Sequence, residues 1–426
     1  MPPTMTRSFG ALVLMLSAAC AVACGARSSL DIFVGSESGS NDSTGESGTG
    51  SSMRGGGSEG RDGGAGSSHG SSGSRDASGS DEGGIGGGDG GGGGGGGTVP
   101  LPPSCAPRGL GMTNCGTGTE SCCTSLEVSG GTFYRTYNPV GLDGGAARAL
   151  DGGPLGEADL ATVSGYHLDK YLVTVGRFRQ FVRVWNGGNG YAPAAGSGLH
   201  TYLHGGQGLE NSGTAGSSGA TYEPGWVASD DSFIDLTDEN LDYCAEDSTW
   251  TSSATTQENL PISCVNWYEA YAFCIWDGGF LPSEAEWEYA AAGGNQQREF
   301  PWGATHPGSD SQYAIYGYDN GVDCYFPTPG ACTGVANFAA VGTTLAGAGR
   351  WGQLDLAGNV AEWNLDWYAP FTDPCVDAAG LTTADFRVIR GGGFDRDAPA
   401  ILPTYPEGRY PSGRNGDVGF RCARVP

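Results

Sequence analysis

The 426-residue chain is poor in positive charge, with 21 lysines and arginines against 47 aspartates and glutamates. Its formal net charge of −26 argues against nucleic acid and anionic lipid headgroups as partners, because both are recognised by basic surfaces. A negative charge of this size is compatible with the binding of divalent cations, and equally with a role in keeping an exported protein soluble.

The chain begins with only a short apolar run, at residues 11–16 (ALVLML). This run is too short for a membrane-spanning helix, which needs about 20 apolar residues, and it fits the core of a signal peptide. Residues 21–25 (AVACG) resemble a bacterial lipobox, which predicts cleavage before Cys24 and lipidation of that cysteine. The alternatives are Cys20 or an ordinary secretory signal. We predict a lipoprotein signal peptide at 1–24 and a lipid-anchored protein of the bacterial cell envelope, in the outer membrane.

Most of the excess among the 79 glycines lies between residues 35 and 97, with an unbroken glycine run at 90–97. Such a composition buries almost nothing and cannot offset the entropy lost on ordering. We therefore predict a disordered Gly/Ser linker at 25–104, a cysteine-rich collar at 105–125 and one folded domain at 126–426.

Histidine is scarce, at five residues, and the cysteines form no paired C-x-x-C zinc motifs. His200 and His204 are spaced for one metal on a helix, but surrounding glycines place them in a loop. The 13 cysteines minus Cys20 and Cys24 leave 11, which in an exported chain indicate disulfides and, being odd in number, one free thiol.

The folded part shows few helices and short strands. Asn266 with Glu269, and Ser283 with Glu286, are two capping boxes that predict helix starts. A further amphipathic helix after Thr174 is indicated by an apolar stripe: Phe178, Phe181, Val182 and Trp185. Strand-like runs occur at 133–135, 166–168, 386–390 and 418–425, and a long loop covers 186–259. This pattern predicts an α+β fold.

Several motifs occur in a fixed order: 261–267 (PISCVNW) and 281–290 (LPSEAEWEYA), then 355–363 (DLAGNVAEW), then 390–392 (RGG) and 419–422 (GFRC). In this order the chain resembles the formylglycine-generating enzyme family, also called sulfatase-modifying factors, over about residues 126–426. The resemblance implies a C-type-lectin-like variant of the α+β class with little regular secondary structure.

The resemblance also implies a calcium ion held by Asp355, the carbonyls of Gly358 and Val360, and Glu362. A mixture of carboxylate and carbonyl oxygens is what calcium prefers in proteins. The alternative is a plain turn in which both acids are solvated.

Catalytic members of the family carry two cysteines after the Arg-Gly-Gly motif, which bind Cu(I), and oxygen then converts a substrate cysteine to formylglycine. The matching positions here are Arg396 and Ile401, and Gly393 replaces the serine of many catalytic members. Neither side chain is a thiolate, the ligand that Cu(I) prefers. We therefore predict no catalytic residue and no copper.

The resemblance pairs Cys274 with Cys422 in a disulfide, and the four cysteines of the collar are expected to pair with one another. Closeness in the sequence predicts two further bridges and one free thiol: Cys244–Cys264, Cys324–Cys332 and free Cys375.

Three functions are compatible with these features. The first is a surface-anchored, calcium-stabilised, non-catalytic recognition module for a glycan or a protein. The second is a family enzyme with altered metal-dependent oxidase chemistry, such as the non-haem iron type. The third is an active formylglycine-generating enzyme whose thiolates come from elsewhere in the chain, with Cys375 as the spare thiol. Aromatic side chains in the loops are candidates for ligand contact: Trp226, Tyr243, Trp250, Tyr316, Tyr318 and Tyr325.

Overall fold

The computed structural model describes residues 101–138, 155–186, 190–211, 220–318, 322–371 and 375–426. The chain divides into two units, Met1–Gly91 and Gly92–Pro426, and the described residues all belong to the second. The predicted signal peptide, Cys24 and the predicted linker up to residue 100 lie outside the described residues. Among the helices that are described, none has the length and apolar character needed to cross a membrane.

The regular elements are short and few for a domain of this length. The α-helices within the described ranges are α1 (Val175–Trp185), α2 (Asp238–Leu241), α3 (Trp267–Trp276) and α4 (Glu284–Ala291). The strands are β1 (Ser125–Val128), β2 (Gly131–Asn138), β3 (Leu155–Val163), β4 (Tyr166–Asp169), β5 (Glu210–Asn211), β6 (Asp323–Cys324), β7 (Gly330–Ala331), β8 (Ala361–Trp367), β9 (Cys375–Val376), β10 (Ala378–Ala379), β11 (Arg387–Arg390), β12 (Glu407–Arg409), β13 (Val418–Gly419) and β14 (Ala423–Arg424).

The strands form several small sheets instead of one large one. The largest has the order β12-β11-β8-β13, in which β11 is antiparallel to both neighbours and β13 is parallel to β8. Two three-stranded sheets have the orders β1-β4-β14 and β2-β3-β9, and β5 with β10 and β6 with β7 form pairs. The predicted strand at 418–425 is split: β13 joins the first sheet, whereas β14 pairs with β4, because the chain passes from one sheet to another.

The helix starts follow the capping signals in the sequence. Both predicted capping boxes form, with Asn266 and Glu269 opening α3 and Ser283 and Glu286 opening α4. The side chain of Thr174 caps α1 by accepting a hydrogen bond from the backbone N–H of Arg177. Phe178 and Phe181 on α1 pack against Phe273 of α3 with ring centroids 5.7 Å apart in each pair, which begins the main hydrophobic core.

Five disulfides cross-link the described part of the chain. Cys274 on α3 is joined to Cys422 beside β14 across 148 residues of sequence. The loop-entropy model gives roughly 5 kcal/mol of stabilisation for a loop of this length. Both pairs predicted from closeness form, and the collar cysteines pair with one another. Among the described cysteines one is free and buried; the set is Cys105–Cys123, Cys115–Cys122, Cys244–Cys264, Cys324–Cys332 and free Cys375.

A buried arginine is one of the groups that attach the collar to the domain. Arg177 on α1 donates to the hydroxyl of Ser104, the residue directly before the collar, at 3.0 Å and to the carbonyl of Cys122 at 3.1 Å. Its guanidinium also pairs with Asp169 at 3.1 Å and Asp277 at 2.6 Å, and all three charged side chains are fully buried. Collar, α1, β4 and the end of α3 therefore meet at a single guanidinium.

A buried histidine fixes the long loop between α1 and α3 onto α4. The ring nitrogens of His200 lie 3.0 Å from a carboxylate oxygen of Glu223 and 3.0 Å from one of Glu286. Burial disfavours the charged ring, but the two carboxylates outweigh it and raise the pKa of His200 to about 10. Both nitrogens are thus occupied, and His204 instead contacts the carbonyl of Gly208 at 2.8 Å, so the pair forms no metal site.

We expect the free energy of unfolding to fall as the pH rises from 7 to 10. His200 stays protonated in the folded state, whereas an unfolded histidine loses its proton near pH 6.5, so the stabilisation is complete below that pH and is lost through about pH 10. The slope from one such group is at most about 1.4 kcal/mol per pH unit. Urea unfolding at several pH values measures it.

His200→Gln should be less stable at pH 7 and should show a flatter pH profile. His306→Gln is the matched control, because His306 is exposed and should leave the profile unchanged. Equal slopes in the wild type and in His200→Gln would contradict the assignment.

Candidate functional site

The Arg-Gly-Gly motif forms a turn that only glycine fits. Strand β11 ends at Arg390, and Gly391 and Gly392 follow with φ angles of +89° and +64°. L side chains rarely adopt this left-handed region. A Cβ atom at Gly392 would also lie 2.8 Å from the carbonyl oxygen of Ala400. The turn therefore accounts for the motif, and it leads into the loop with the two positions of the family's copper ligands.

Ile401, at the second of these positions, is part of an apolar cluster. It ends a 3₁₀ turn, Ala398–Ile401, and its exposed fraction is 0%. The side chain packs in a cluster with Phe300, Ala314 and Tyr316. The position where catalytic relatives hold a thiolate is thus filled by hydrocarbon.

Arg396, at the first position, belongs to a network of charges. Its Nη2 lies 3.0 Å from Oδ2 of Asp417, and it also approaches Glu407 and Asp395 at 3.8 Å each. Burial, followed by the charge of Asp417, raises the pKa of the neighbouring Asp395 to about 7. A Cβ at Gly393 would lie 3.0 Å from both Asp395 Oδ1 and Asp417 Cβ, so a larger residue would crowd the two acids. Sequence reasoning missed this carboxyl pair, whose members are 22 positions apart (417 − 395).

Cys375, the free thiol, lies in β9 of the β2-β3-β9 sheet and not in the loop after β11. Its thiol donates to the carbonyl of Ala378 at 3.5 Å. Burial raises the pKa of Cys375 to about 11, so the thiol stays protonated at neutral pH. A buried, protonated thiol is a poor metal ligand and a poor nucleophile.

The predicted calcium ligands Asp355 and Glu362 flank a tight turn. They are 3% and 1% exposed, so the interpretation of two solvated acids is wrong. Asp355 accepts hydrogen bonds from the N–H of Gly342 at 2.6 Å and from the hydroxyl of Thr344 at 3.2 Å. Glu362 accepts from Nε and Nη2 of Arg421 at 2.6 and 2.8 Å.

Burial raises the pKa of Asp355 and of Glu362, which means that a nearby cation would stabilise their charged forms. Among the described residues, the carboxylate of Asp355 accepts hydrogen bonds only from neutral donors, although the charge of Arg421 also lowers its pKa, so Asp355 fits a calcium ligand better than Glu362, which is paired directly with Arg421. Within the described ranges, no three histidine, cysteine, aspartate or glutamate side chains are arranged to hold a metal. A calcium ion here would therefore depend on the backbone carbonyls of Gly358 and Val360.

Half of the six loop aromatics proposed as ligand contacts are buried in the structure. Trp226, Trp250 and Tyr316 are buried, which removes them as ligand contacts. Tyr243 and Tyr318 are 71% and 42% exposed, and Tyr325 is partly exposed. The burial of Trp226, Trp250 and Tyr316 could not be predicted from their position in loops.

The sequence matches a known family over most of its length. Residues 114–426 match the family described as Sulfatase-modifying factor enzyme 1-like domain. The formylglycine-generating enzyme of Streptomyces coelicolor is 35% identical over 181 residues, which is 40% of this chain and 55% of that protein.

Two other relatives carry different names. The hercynine oxygenase of Mycolicibacterium smegmatis is 32% identical over 178 residues, covering 38% of this chain and 37% of that protein. The inactive C-alpha-formylglycine-generating enzyme 2 of Mus musculus is 31% identical over 169 residues, covering 38% of this chain and 49% of that protein. The chain thus spans 37–55% of the length of these three curated relatives.

Among solved structures, PvdO from Pseudomonas aeruginosa has 18% identity and a TM-score of 0.42, with 75% of this chain and 100% of that chain covered. Treponema denticola variable protein 1 has 19% identity and a TM-score of 0.39, with 71% and 95% covered.

The family match covers the described domain from the collar to the C-terminus, and the domain has the few helices and several small sheets expected of an α+β fold. The chain therefore belongs to the formylglycine-generating enzyme (sulfatase-modifying factor) family and has its C-type-lectin-like α+β fold.

Proposed function

We propose that this protein is a non-catalytic recognition module of the family, stabilised by calcium and held at the bacterial surface by a lipid anchor. Its ligand would be a glycan or a protein, and the net charge of −26 argues against nucleic acid. We do not assign the activities of the relatives to this protein, because the chain spans only about half of their length or less.

One observation carries the proposal: the loop after β11 offers no soft ligand. Ile401 is sealed in an apolar cluster and Arg396 is paired with Asp417. Cu(I) favours soft thiolate or thioether ligands, and a guanidinium at this place repels a cation as well. The mouse relative named inactive has sequence similarity of the same order as the relatives named as enzymes, which is compatible with a non-enzymatic member.

Incubation of the purified protein with a Cys-x-Pro-x-Arg peptide, Cu(I) and oxygen should yield no formylglycine by mass spectrometry. The Streptomyces coelicolor enzyme provides the positive control. The wild type should take up no stoichiometric Cu(I), because Arg396 and Ile401 cannot replace thiolates.

The double variant Arg396→Cys/Ile401→Cys should bind Cu(I), whereas Cys375→Ser should behave as the wild type does. Formylglycine production by the wild type would end the proposal and would favour the alternative of a family enzyme.

Calcium is proposed at the turn between Asp355 and Glu362, with the carbonyls of Gly358 and Val360 as the remaining ligands. The buried carboxylate of Asp355 supports this, since it has no cationic partner of its own at hydrogen-bonding distance among the described residues. The ion would neutralise buried charge and so stabilise the turn.

Removal of calcium with a chelator should lower the melting temperature by on the order of 5 °C, the effect of a ligand present at about 100 times its Kd. Asp355→Asn should abolish the difference between the calcium and chelator conditions, because it removes the charge and keeps a hydrogen-bond acceptor. The exposed Asp385→Asn is the control and should retain the difference. No response of the wild type to chelator would remove the site.

The lipid anchor is proposed at Cys24, on the basis of the lipobox-like residues 21–25 and the glycine- and serine-rich segment that follows. The mass of the N-terminal fragment should include the added lipid. Cys24→Ser should release the protein from the membrane fraction, and Cys20→Ser should not. Membrane association of Cys24→Ser would contradict the assignment.

A further inference from the structure

A cavity of about 70 Å³ opens beside the start of β11, at the opposite end of the strand from the Arg-Gly-Gly turn. Its walls come from α3, from the end of β8 and from the loop at residues 223–230. About 10–15 Å³ is enough for one water molecule, so this cavity has room for roughly five to seven non-hydrogen atoms. The space suits a very small ligand.

The positively charged group in the wall of this cavity is Arg387, which is held between two indole rings. Its guanidinium carbon lies 3.7 Å from the ring centroid of Trp267 and 3.7 Å from that of Trp367. Both faces of the guanidinium are therefore covered, and only its edge can form hydrogen bonds. Nη1 donates to the carbonyl of Leu365 at 2.5 Å, while Nε has no hydrogen-bond partner. The group is fixed in orientation and incompletely satisfied.

The positive charge of Arg387 lacks a direct counter-charge. The fully buried arginines Arg177 and Arg421 form ion pairs with carboxylates. Arg387, which is only partly buried, forms none within the part of the chain that the structure describes. Burial between the indole rings lowers the pKa of Arg387 to about 9, and the more distant negative groups around it offset that effect only in part. An anion in the cavity would offset this cost.

A negative charge borders the same cavity. Asp230, in the 3₁₀ turn Ala228–Phe233, is half-buried, and burial raises its pKa while the charge of Arg387 lowers it. The two charges influence each other but form no ion pair among the described residues. Glu223, the other acid at the wall, is already bound to the ring and backbone N–H of His200 and to the N–H of Leu209. Arg387 and Asp230 are thus the two charges that a ligand can address.

We propose that this cavity binds a small zwitterionic α-amino acid of the size of glycine, alanine or serine, with its carboxylate on the edge of Arg387 and its ammonium group on Asp230. A simple carboxylate would meet the repulsion of Asp230, and a simple amine would meet that of Arg387. A zwitterion satisfies both charges at once. The aromatic walls of Trp267 and Tyr271 exclude water and so strengthen both contacts.

The site is separate from the loop that contains Arg396, because the two lie at opposite ends of β11. The inference therefore goes beyond the proposed function and does not depend on it: an amino-acid site would exist whether or not the domain retains catalysis.

Isothermal titration calorimetry of the purified full chain with glycine, L-alanine and L-serine tests the proposal. At least one of the three should bind saturably. Acetate and methylammonium, which carry one charge each, should bind at least tenfold more weakly. L-Tryptophan should not bind, because its side chain exceeds the space available.

Arg387→Gln and Asp230→Asn should each weaken binding at least tenfold. The controls are Arg108→Gln and Asp242→Asn, which remove the same charges from exposed positions and should leave the affinity unchanged. Near-ultraviolet circular dichroism verifies folding, and Arg387→Lys keeps the charge in case the glutamine variant does not fold; it should bind more weakly because it lacks the planar edge.

Three results would each overturn the proposal. The first is no saturable binding of any of the three amino acids. The second is binding of acetate as tight as that of the amino acid. The third is unchanged affinity in folded Asp230→Asn.

Discussion

The position of the loop after β11 depends on one buried guanidinium. Arg390 is fully enclosed, and it binds Glu284 and Glu288 of α4, the latter at 3.0 Å, while the carbonyl of Pro403 accepts a further bond at 3.1 Å. Removal of one partner from such a pair leaves an uncompensated buried charge, which typically costs about 3–5 kcal/mol. Because these contacts fix β11 against α4, the glycine turn and the segment up to Ile401 are held in one place.

Buried charged side chains also join distant segments in the rest of the domain. Its helices and strands are too short to hold it together by ladders of backbone hydrogen bonds, so distant segments are joined by disulfides and buried ion pairs. Arg421 shows how much one side chain can connect: it binds the carboxylate of Glu362 and donates to the carbonyls of Leu354 and Asp355 and to that of Asp169. Such an arginine donates to several buried backbone carbonyls, which in a helix or a sheet would accept hydrogen bonds from backbone N–H groups.

The two ends of β11 differ in chemistry. After its last residue, the two positions that correspond by resemblance to copper ligands hold Ile401, in an apolar cluster, and Arg396, in an ion pair, so both side chains are already satisfied by the protein. At its first residue, Arg387 is held between two indole rings, and it forms no ion pair among the described residues. Unsatisfied groups favour ligand binding more than satisfied ones do, since a ligand can supply the missing interaction. The side chains after the end of β11 have their interactions satisfied within the protein, whereas the side chain at its start does not.

The sequence by itself determined the family, the helix starts and the absence of thiolates at residues 396 and 401. Capping boxes such as Asn266 with Glu269 are readable because both partners lie within one turn of chain. Only the tertiary structure decided which distant groups meet: His200 with Glu286, Asp395 with Asp417, and Arg387 between two tryptophans. These contacts depend on how short elements pack, and neither spacing nor residue type specifies them. Local hydrogen bonds leave a pattern in the sequence, whereas burial and charge pairing across the fold do not.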